Sequence, residues 1–220
     1  MIVYGSTISP FVRKVMAFAA EKGLTLTLEP AGLGRGGPAF SEASPFGKIP
    51  GFRDPGADHG ADFCISDSTA ICAYLEAKFP EANLIPKAPI AHARTIWFEE
   101  FADSIFFAVA AKIFSNRFLL PKMLKRPFDE AIAANAADVE LPPLLDYLEG
   151  VIPASGFLVE DRITLADISV CSPFVNLDHA NLVIDPARWP KTAAYVDAIL
   201  ARPSFTPIVT AEKALVATFA

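Results

Sequence analysis

The first thirty residues limit the fold more than any other stretch. Ile2, Val3 and Tyr4 form a short apolar run that passes at once into the polar loop Gly5-Ser6-Thr7-Ile8-Ser9-Pro10. Val12, Val15, Met16 and Ala19 then recur at the i, i+3, i+4, i+7 spacing of one helix face, with Pro10 suited to a first helical position and Gly23 to a terminating one. Leu24-Thr25-Leu26-Thr27-Leu28-Glu29 alternates strictly, as a strand with one apolar face does. Strand, helix and strand in so short a length make a βαβ unit, so the chain opens on an α/β layer. Its first loop lies at the carboxyl edge of the sheet, where such layers take ligands.

A second constraint is Ser44-Pro45-Phe46-Gly47-Lys48-Ile49-Pro50, in which two prolines bracket a glycine and a cation just ahead of the apparent strand Gly51–Asp54. Proline lacks an N–H and has a locked φ, so Pro50 leaves the N–H and C=O of Ile49 facing outward, where a ligand with a peptide backbone can pair them. The plain alternative is an ordinary turn between helix and strand. Beyond it, Pro55-Gly56 reads as a turn and Phe63-Cys64-Ile65 as the partner strand, a long hairpin loop that exposes His59. Ser66-Asp67-Ser68 precedes Ala70, Ile71, Tyr74, Leu75 and Lys78 at helical spacing. Either Asp67 or Ser68 caps that helix, or its free N–H groups take a ligand carboxylate while Asp67 takes an ammonium. The spacing leaves both open. The glycine-rich Ala31–Pro38 lacks Gly-x-Gly-x-x-Gly between strand and helix and has no Gly-Lys-Ser/Thr ending, so it reads as a flexible surface loop rather than a phosphate cradle.

Composition excludes several classes. The chain has 220 residues, 52% hydrophobic and 20% charged, enough for one large or two small domains with a real core. A dispersed net charge of −6 argues against nucleic acid or an anionic membrane as partner. No apolar run approaches the ~18 residues that span a bilayer, and no leader-like segment precedes Ile2, which reads as a cytoplasmic protein. Cys64, Cys72 and Cys171 stand singly among apolar neighbours, so neither a disulfide framework nor a zinc site is expected. A serine hydrolase needs a nucleophile elbow and a paired histidine. Gly-x-Ser-x-Gly is absent, and His59, His92 and His179 sit in unrelated settings.

The second half changes character. Residues 80–90 are proline-rich and polar enough for a linker, and past them strand-like alternation vanishes. Residues 91–118 form one long apolar-periodic segment crowded with phenylalanines, after which Pro121 and Pro127 interrupt. A helix from about Phe128 to Gly150 is expected to kink at Pro142-Pro143. Thr164 as N-cap with Asp167 at the third helical position is a capping box, with Ile163 and Ile168 as its hydrophobic staple. Pro190 and the Arg202-Pro203-Ser204-Phe205 run open two further helices.

Taken in order, the first strand, the Ser9-Pro10-Phe11 loop, Arg13-Lys14-Val15, Pro45 to Pro50 and Ser66-Asp67-Ser68-Thr69-Ala70-Ile71 resemble the thioredoxin-like N-terminal domain of the cytosolic glutathione S-transferases. The resemblance implies an α/β thioredoxin-like domain over 1–79, a linker over 80–90 and an all-α helical bundle over 91–220. It also implies a cis bond before Pro50, with Ile49 pairing the cysteinyl backbone of glutathione. Asp67 and Ser68 would then hold the γ-glutamyl end, and Lys48 the glycyl carboxylate. The activating group would be Ser9, as in the plant-type serine classes and bacterial-like members, with Ser6, Thr7 and Tyr4 as rivals. No cysteine lies in this loop, against the members that form a mixed disulfide. Such a hydroxyl stabilises the thiolate by hydrogen bonding and is not itself a nucleophile. The electrophile pocket would draw on Phe11, Phe106, Phe107 and Phe114, with the tail near Phe219. Glu99, Glu100 or Asp103 would reach across a homodimer interface. Glutathione is the implied co-substrate, with no metal, in detoxification of a small hydrophobic electrophile. A non-catalytic glutathione-binding protein or a glutathione-dependent isomerase or lyase on the same fold are the alternatives.

Overall fold

The structure, a computed structural model, describes residues 1–219. It divides into two compact units, Met1–Ile85 and a second beginning at Pro86.

The first unit is a four-stranded sheet with order β2-β1-β3-β4. Its strands are β1 (Ile2–Gly5), β2 (Thr27–Pro30), β3 (Gly51–Asp58) and β4 (Ala61–Ser66), and its helices α1 (Pro10–Glu21), α2 (Pro38–Ala43) and α3 (Ser68–Lys78). β1 and β2 run parallel through α1, whereas β3 is antiparallel to both β1 and β4. Side chains alternate across the sheet. Val3, Val12, Val15, Phe18, Phe52, Ile71 and Leu75 are fully buried. Tyr4 joins a separate cluster with Ala31, Phe40 and Ala43.

Three local readings change. The alternating Leu24–Glu29 contributes only its end to β2, because the N–H of Leu24 returns to the carbonyl of Ala19 to close α1 behind Gly23, whose φ is +70°. The turn expected at Pro55-Gly56 is a bulge inside β3, where the register with β4 shifts between Asp54 and Asp58 and a proline forfeits no ladder bond. The hairpin turns instead at His59 and Gly60, both at positive φ, the geometry that suits a two-residue connection. The glycine-rich stretch holds a tight turn in which Gly32 and Arg35 exchange backbone hydrogen bonds, then the short helix α2, which no periodicity announces.

The second unit is helical: α4 (Pro89–Glu100), α5 (Phe107–Phe114), α6 (Glu130–Asn135), α7 (Leu141–Val151), α8 (Leu165–His179), α9 (Pro190–Leu200) and α10 (Thr206–Ala217). Wider π-helical turns at Phe101–Phe106 and Ser115–Met123 make Pro89–Met123 one continuous helical run. Pro121 therefore does not end the helix: it sits in a wide turn, where the bonding register has already shifted. A third π turn, Ala136–Glu140, joins α6 to α7, so Pro142 and Pro143, the second and third residues of α7, lie within one helical run over 130–151 that they do not end. By length and composition alone the run Pro89–Met123 could cross a bilayer, which the count of uninterrupted apolar residues missed. Here Phe98, Phe101, Phe106, Ile113 and Phe118 are buried, and α4 and α5 pack on α8. Every residue of α8 except Asp178 is buried, as expected of a central helix.

Asp167 ties this unit together. Its carboxylate accepts the N–H of Leu158 at 2.8 Å, the N–H and hydroxyl of Thr164 at 2.9 and 3.1 Å, and the hydroxyl of Tyr195 at 3.1 Å. Burial pushes its pKa up to about 6, against the pull of those donors. Asp167→Ala strands several buried donors and is expected to cost about 3 kcal/mol in a denaturant titration. Because the folded pKa lies above the unfolded one, this group adds stability as pH falls through 6. The penalty of Asp167→Ala should therefore be larger at pH 5 than at pH 8, by about 1 kcal/mol; an equal penalty at both would place the folded pKa in the ordinary carboxylate range.

Candidate active site

Strand pairing assembles the candidate residues. Tyr4 on β1 pairs with Gly51 on β3, which pairs with Ser66 on β4. One row further toward the carboxyl end of β1 lie Gly5, Pro50 and Asp67, so three separate loops meet along one edge. Adjacent strands are about 4.8 Å apart, so this row is about 10 Å across. An extended tripeptide is about 10 Å long.

The middle of the row is Ile49-Pro50, joined by a cis peptide bond. Among the described residues, the N–H and C=O of Ile49 make no hydrogen bond. Two contacts hold this segment. The buried Ser44 donates its hydroxyl to the carbonyl of Lys48 at 2.6 Å, and Gly47, at φ +65°, returns its N–H to the carbonyl of Ser44. Below, the Ile49 side chain rests on Gly32, where a Cβ would stand 3.1 Å from its Cγ2. Ser44 was not singled out from the sequence, since its role depends on the end of the unannounced α2. Lys48 is exposed, as is Phe46 at the tip of the turn.

On one side of the row is the start of α1. Ser9 is its N-cap residue, half-buried, yet its side chain makes no capping bond, and among the described residues its hydroxyl has no hydrogen-bond partner. Its backbone serves the turn, donating to the carbonyl of Ser6 and accepting from the N–H of Arg13. Ser6 and Thr7 are half-buried in the same loop. Tyr4 points away: its ring is 4% exposed, lies 6.2 Å from that of Phe40, and burial raises its hydroxyl pKa despite the nearby Arg53.

On the other side is α3. Asp67, at φ +84°, caps it, one carboxylate oxygen accepting the N–H groups of Thr69 at 2.9 Å and Ala70 at 3.1 Å. The capping role left open by the spacing is thus filled, while Asp67 itself stays exposed and keeps its second oxygen clear of hydrogen bonds among the described residues. Ser68 is buried beside it.

The phenylalanines separate by packing. Phe106 is 1% exposed against Phe101 and Phe174, and Phe114 is buried against Phe118. Phe11 and Phe107 are only half-buried. Phe219 meets Phe118 edge-on. Glu99 is buried, Asp103 half-buried and Glu100 exposed.

The sheet and helical unit define a thioredoxin-like domain followed by an all-helical one, with an unpaired peptide edge beside a cis-proline. Comparison with known proteins makes the class specific. The family model of the glutathione S-transferase N-terminal domain matches residues 3–83, and that of the C-terminal domain residues 107–203. Glutathione S-transferase 3 of Zea mays is 29% identical over 215 residues, spanning 95% of this chain and 93% of that protein. A solved structure of glutathione S-transferase III in apo form is 30% identical with a TM-score of 0.77, covering 96% of this chain and 95% of that one. Elongation factor 1-gamma of Sus scrofa is 27% identical over 175 residues, 78% of this chain but 37% of that protein. The chain belongs to the glutathione S-transferase family.

Gly5 sets how closely α1 approaches the row, since a Cβ there would stand 2.6 Å from Cγ2 of Val12, a stiff β-branched side chain. Gly5→Ala is expected to lower stability by about 1–3 kcal/mol through overpacking. Adding Val12→Ala should recover part of that loss, measured as a double-mutant cycle of denaturation midpoints; strictly additive losses would show that the two positions do not touch.

Proposed function

We propose that this protein is a glutathione transferase, binding glutathione across the Gly5–Pro50–Asp67 row and activating its thiol for addition to, or substitution on, a small hydrophobic electrophile. The observation that carries the reading is the unpaired backbone of Ile49 between a free hydroxyl at Ser9 and the capped but exposed carboxylate of Asp67. Ile49 pairs the cysteinyl backbone, Asp67 and Ser68 take the γ-glutamyl end, and Lys48 faces the glycyl carboxylate. Pro50 keeps the edge open.

A free thiol ionises near pH 8.5, so only a few per cent is thiolate at neutral pH. The Ser9 hydroxyl donates a hydrogen bond to the sulfur and favours the anion, and the positive end of α1 adds to it. Each unit of pKa lowered corresponds to about 1.4 kcal/mol and about tenfold more thiolate. In the second unit the half-buried Phe107, rather than the buried Phe106 and Phe114, is the ring assigned to the electrophile. The enzyme works as a cytoplasmic homodimer in detoxification, each chain carrying its domains over 1–79 and 91–220 joined by a linker over 80–90.

Ser9→Ala is expected to raise the pKa of bound glutathione by about a unit or more, seen in its thiolate ultraviolet absorbance, and to cut turnover of an aryl halide about tenfold or more. Glutathione affinity should change far less. An unchanged rate moves the role to Ser6, Thr7 or Tyr4. Retention on immobilised glutathione with no transfer to any electrophile would favour the non-catalytic reading.

A further inference from the structure

The sheet face that carries α2 holds a cation among apolar neighbours. Strand pairing sets Ile2 and Cys64 opposite Arg53, so these three share that face with Tyr4. The strands do not need the cation: Val3 and Phe52, cross-strand partners buried on the opposite face, already hold the register. The Arg53 guanidinium reaches instead toward α2. Its Nη2 donates to the carboxylate of Glu42 at 2.5 Å and to the carbonyl of Ala39 at 3.5 Å. Its Nη1 donates to Asp62 at 2.7 Å, and the other oxygen of Asp62 accepts the N–H of Gly56 at 3.1 Å.

α2 depends on such outside contacts. Six residues are too few for a helix to stand alone, and Gly37 before it offers no side-chain cap. Phe40 and Ala43 dock it by burial, and Glu42 is its only charged residue. The carboxyl end of α2 runs straight into the candidate site. Ala43 belongs to the cluster on which Ile49 packs, and a Cβ on Gly51 would stand 3.4 Å from its Cβ. Ser44 follows, with its hydroxyl on the carbonyl of Lys48 at 2.6 Å. That carbonyl shares a planar peptide with the N–H of Ile49, and the two point in opposite directions. Whatever fixes Ser44 therefore aims the Ile49 N–H.

We propose, resting on the transferase reading of this site, that Arg53 is a positioning residue for glutathione: by gripping Glu42 and Ala39 it sets the end of α2, and through Ser44 the direction in which Ile49 offers its N–H. The effect falls on binding and not on chemistry. Ile49 meets the cysteinyl backbone alike before and during the reaction, so a misaimed edge weakens both states equally. Ser9, which faces the sulfur, belongs to a different loop.

The test is titration calorimetry of the full chain with glutathione, beside turnover of an aryl halide at saturating glutathione. Arg53→Met keeps an apolar stem and removes the fork. It is expected to weaken glutathione binding about fivefold or more, with kcat at saturation within about twofold and the pKa of the bound thiol unchanged. Glu42→Gln, at an exposed position, should reproduce part of that loss, and the double variant should lose no more than Arg53→Met alone. Arg53→Lys should recover only part, since an ammonium has no fork to span two partners. Asp54→Asn controls for general destabilisation of β3. Asp54 lies on the other face, bonded to Tyr74 at 2.7 Å and to Lys78, so this variant should lower the denaturation midpoint and leave glutathione affinity at the wild-type value. Wild-type affinity in both Arg53→Met and Glu42→Gln, or an equal loss in Asp54→Asn, would overturn the positioning role and leave the transferase reading standing. A wild-type chain that ignores glutathione would overturn both.

Discussion

The insertion of β3 between β1 and β4 is the constraint on which the site depends. Val3 and Phe52 are cross-strand partners and both fully buried, which locks the register by packing. A slip of one residue would turn Tyr4 out of its cluster with Phe40 and Ala43 and move Val3 to that side. With the register held, Gly5, Pro50 and Asp67 align without any long-range polar contact among them. The cost of placing three loops at one edge is carried by apolar side chains that never touch a ligand.

That division of labour explains what was legible beforehand. The helix beginning at Pro10, the helix beginning after Asp67 and the capping of α8 by Thr164 and Asp167 follow from residues within one or two turns, and local rules reach that far. The turn residues were weaker guides. Pro55-Gly56 has turn chemistry, but a two-residue type I′ connection needs positive φ at both positions, and His59-Gly60 supplied it four residues on. Pro121 and Pro142 look like helix breakers until the π turns beside them shift the bonding register, which no residue type signals.

The candidate site was legible as residue types and not as geometry. Ile49, Pro50, Asp67 and Ser9 could be picked out as an exposed edge, a rigid proline, an acid at a helix start and a hydroxyl in a first loop. That Ser44 holds the Lys48 carbonyl, or that Ile49 rests on Gly32, required the position of α2 and the turn before it. The phenylalanines show the same limit. Six aromatic rings crowd residues 98–118, and periodicity cannot tell Phe106, sealed against Phe174, from Phe107, one residue on and half-buried.

The two helix starts at the row are built on opposite principles, and the difference bears on chemistry. At α3 an acidic side chain accepts two backbone N–H groups, so the positive end of the helix is partly answered from within the protein. At α1 the first helical residue is a proline, which brings no N–H, and the hydroxyl that precedes it is bonded to nothing in the described chain. A hydroxyl tied into a cap has its orientation set by the helix. One left out of the cap can rotate to donate to an anion placed before it, while the positive helix end favours negative charge there. Ser9 at α1 therefore offers what a thiolate requires, and Asp67 at α3 offers what a cationic group requires, on either side of a backbone edge that neither helix occupies.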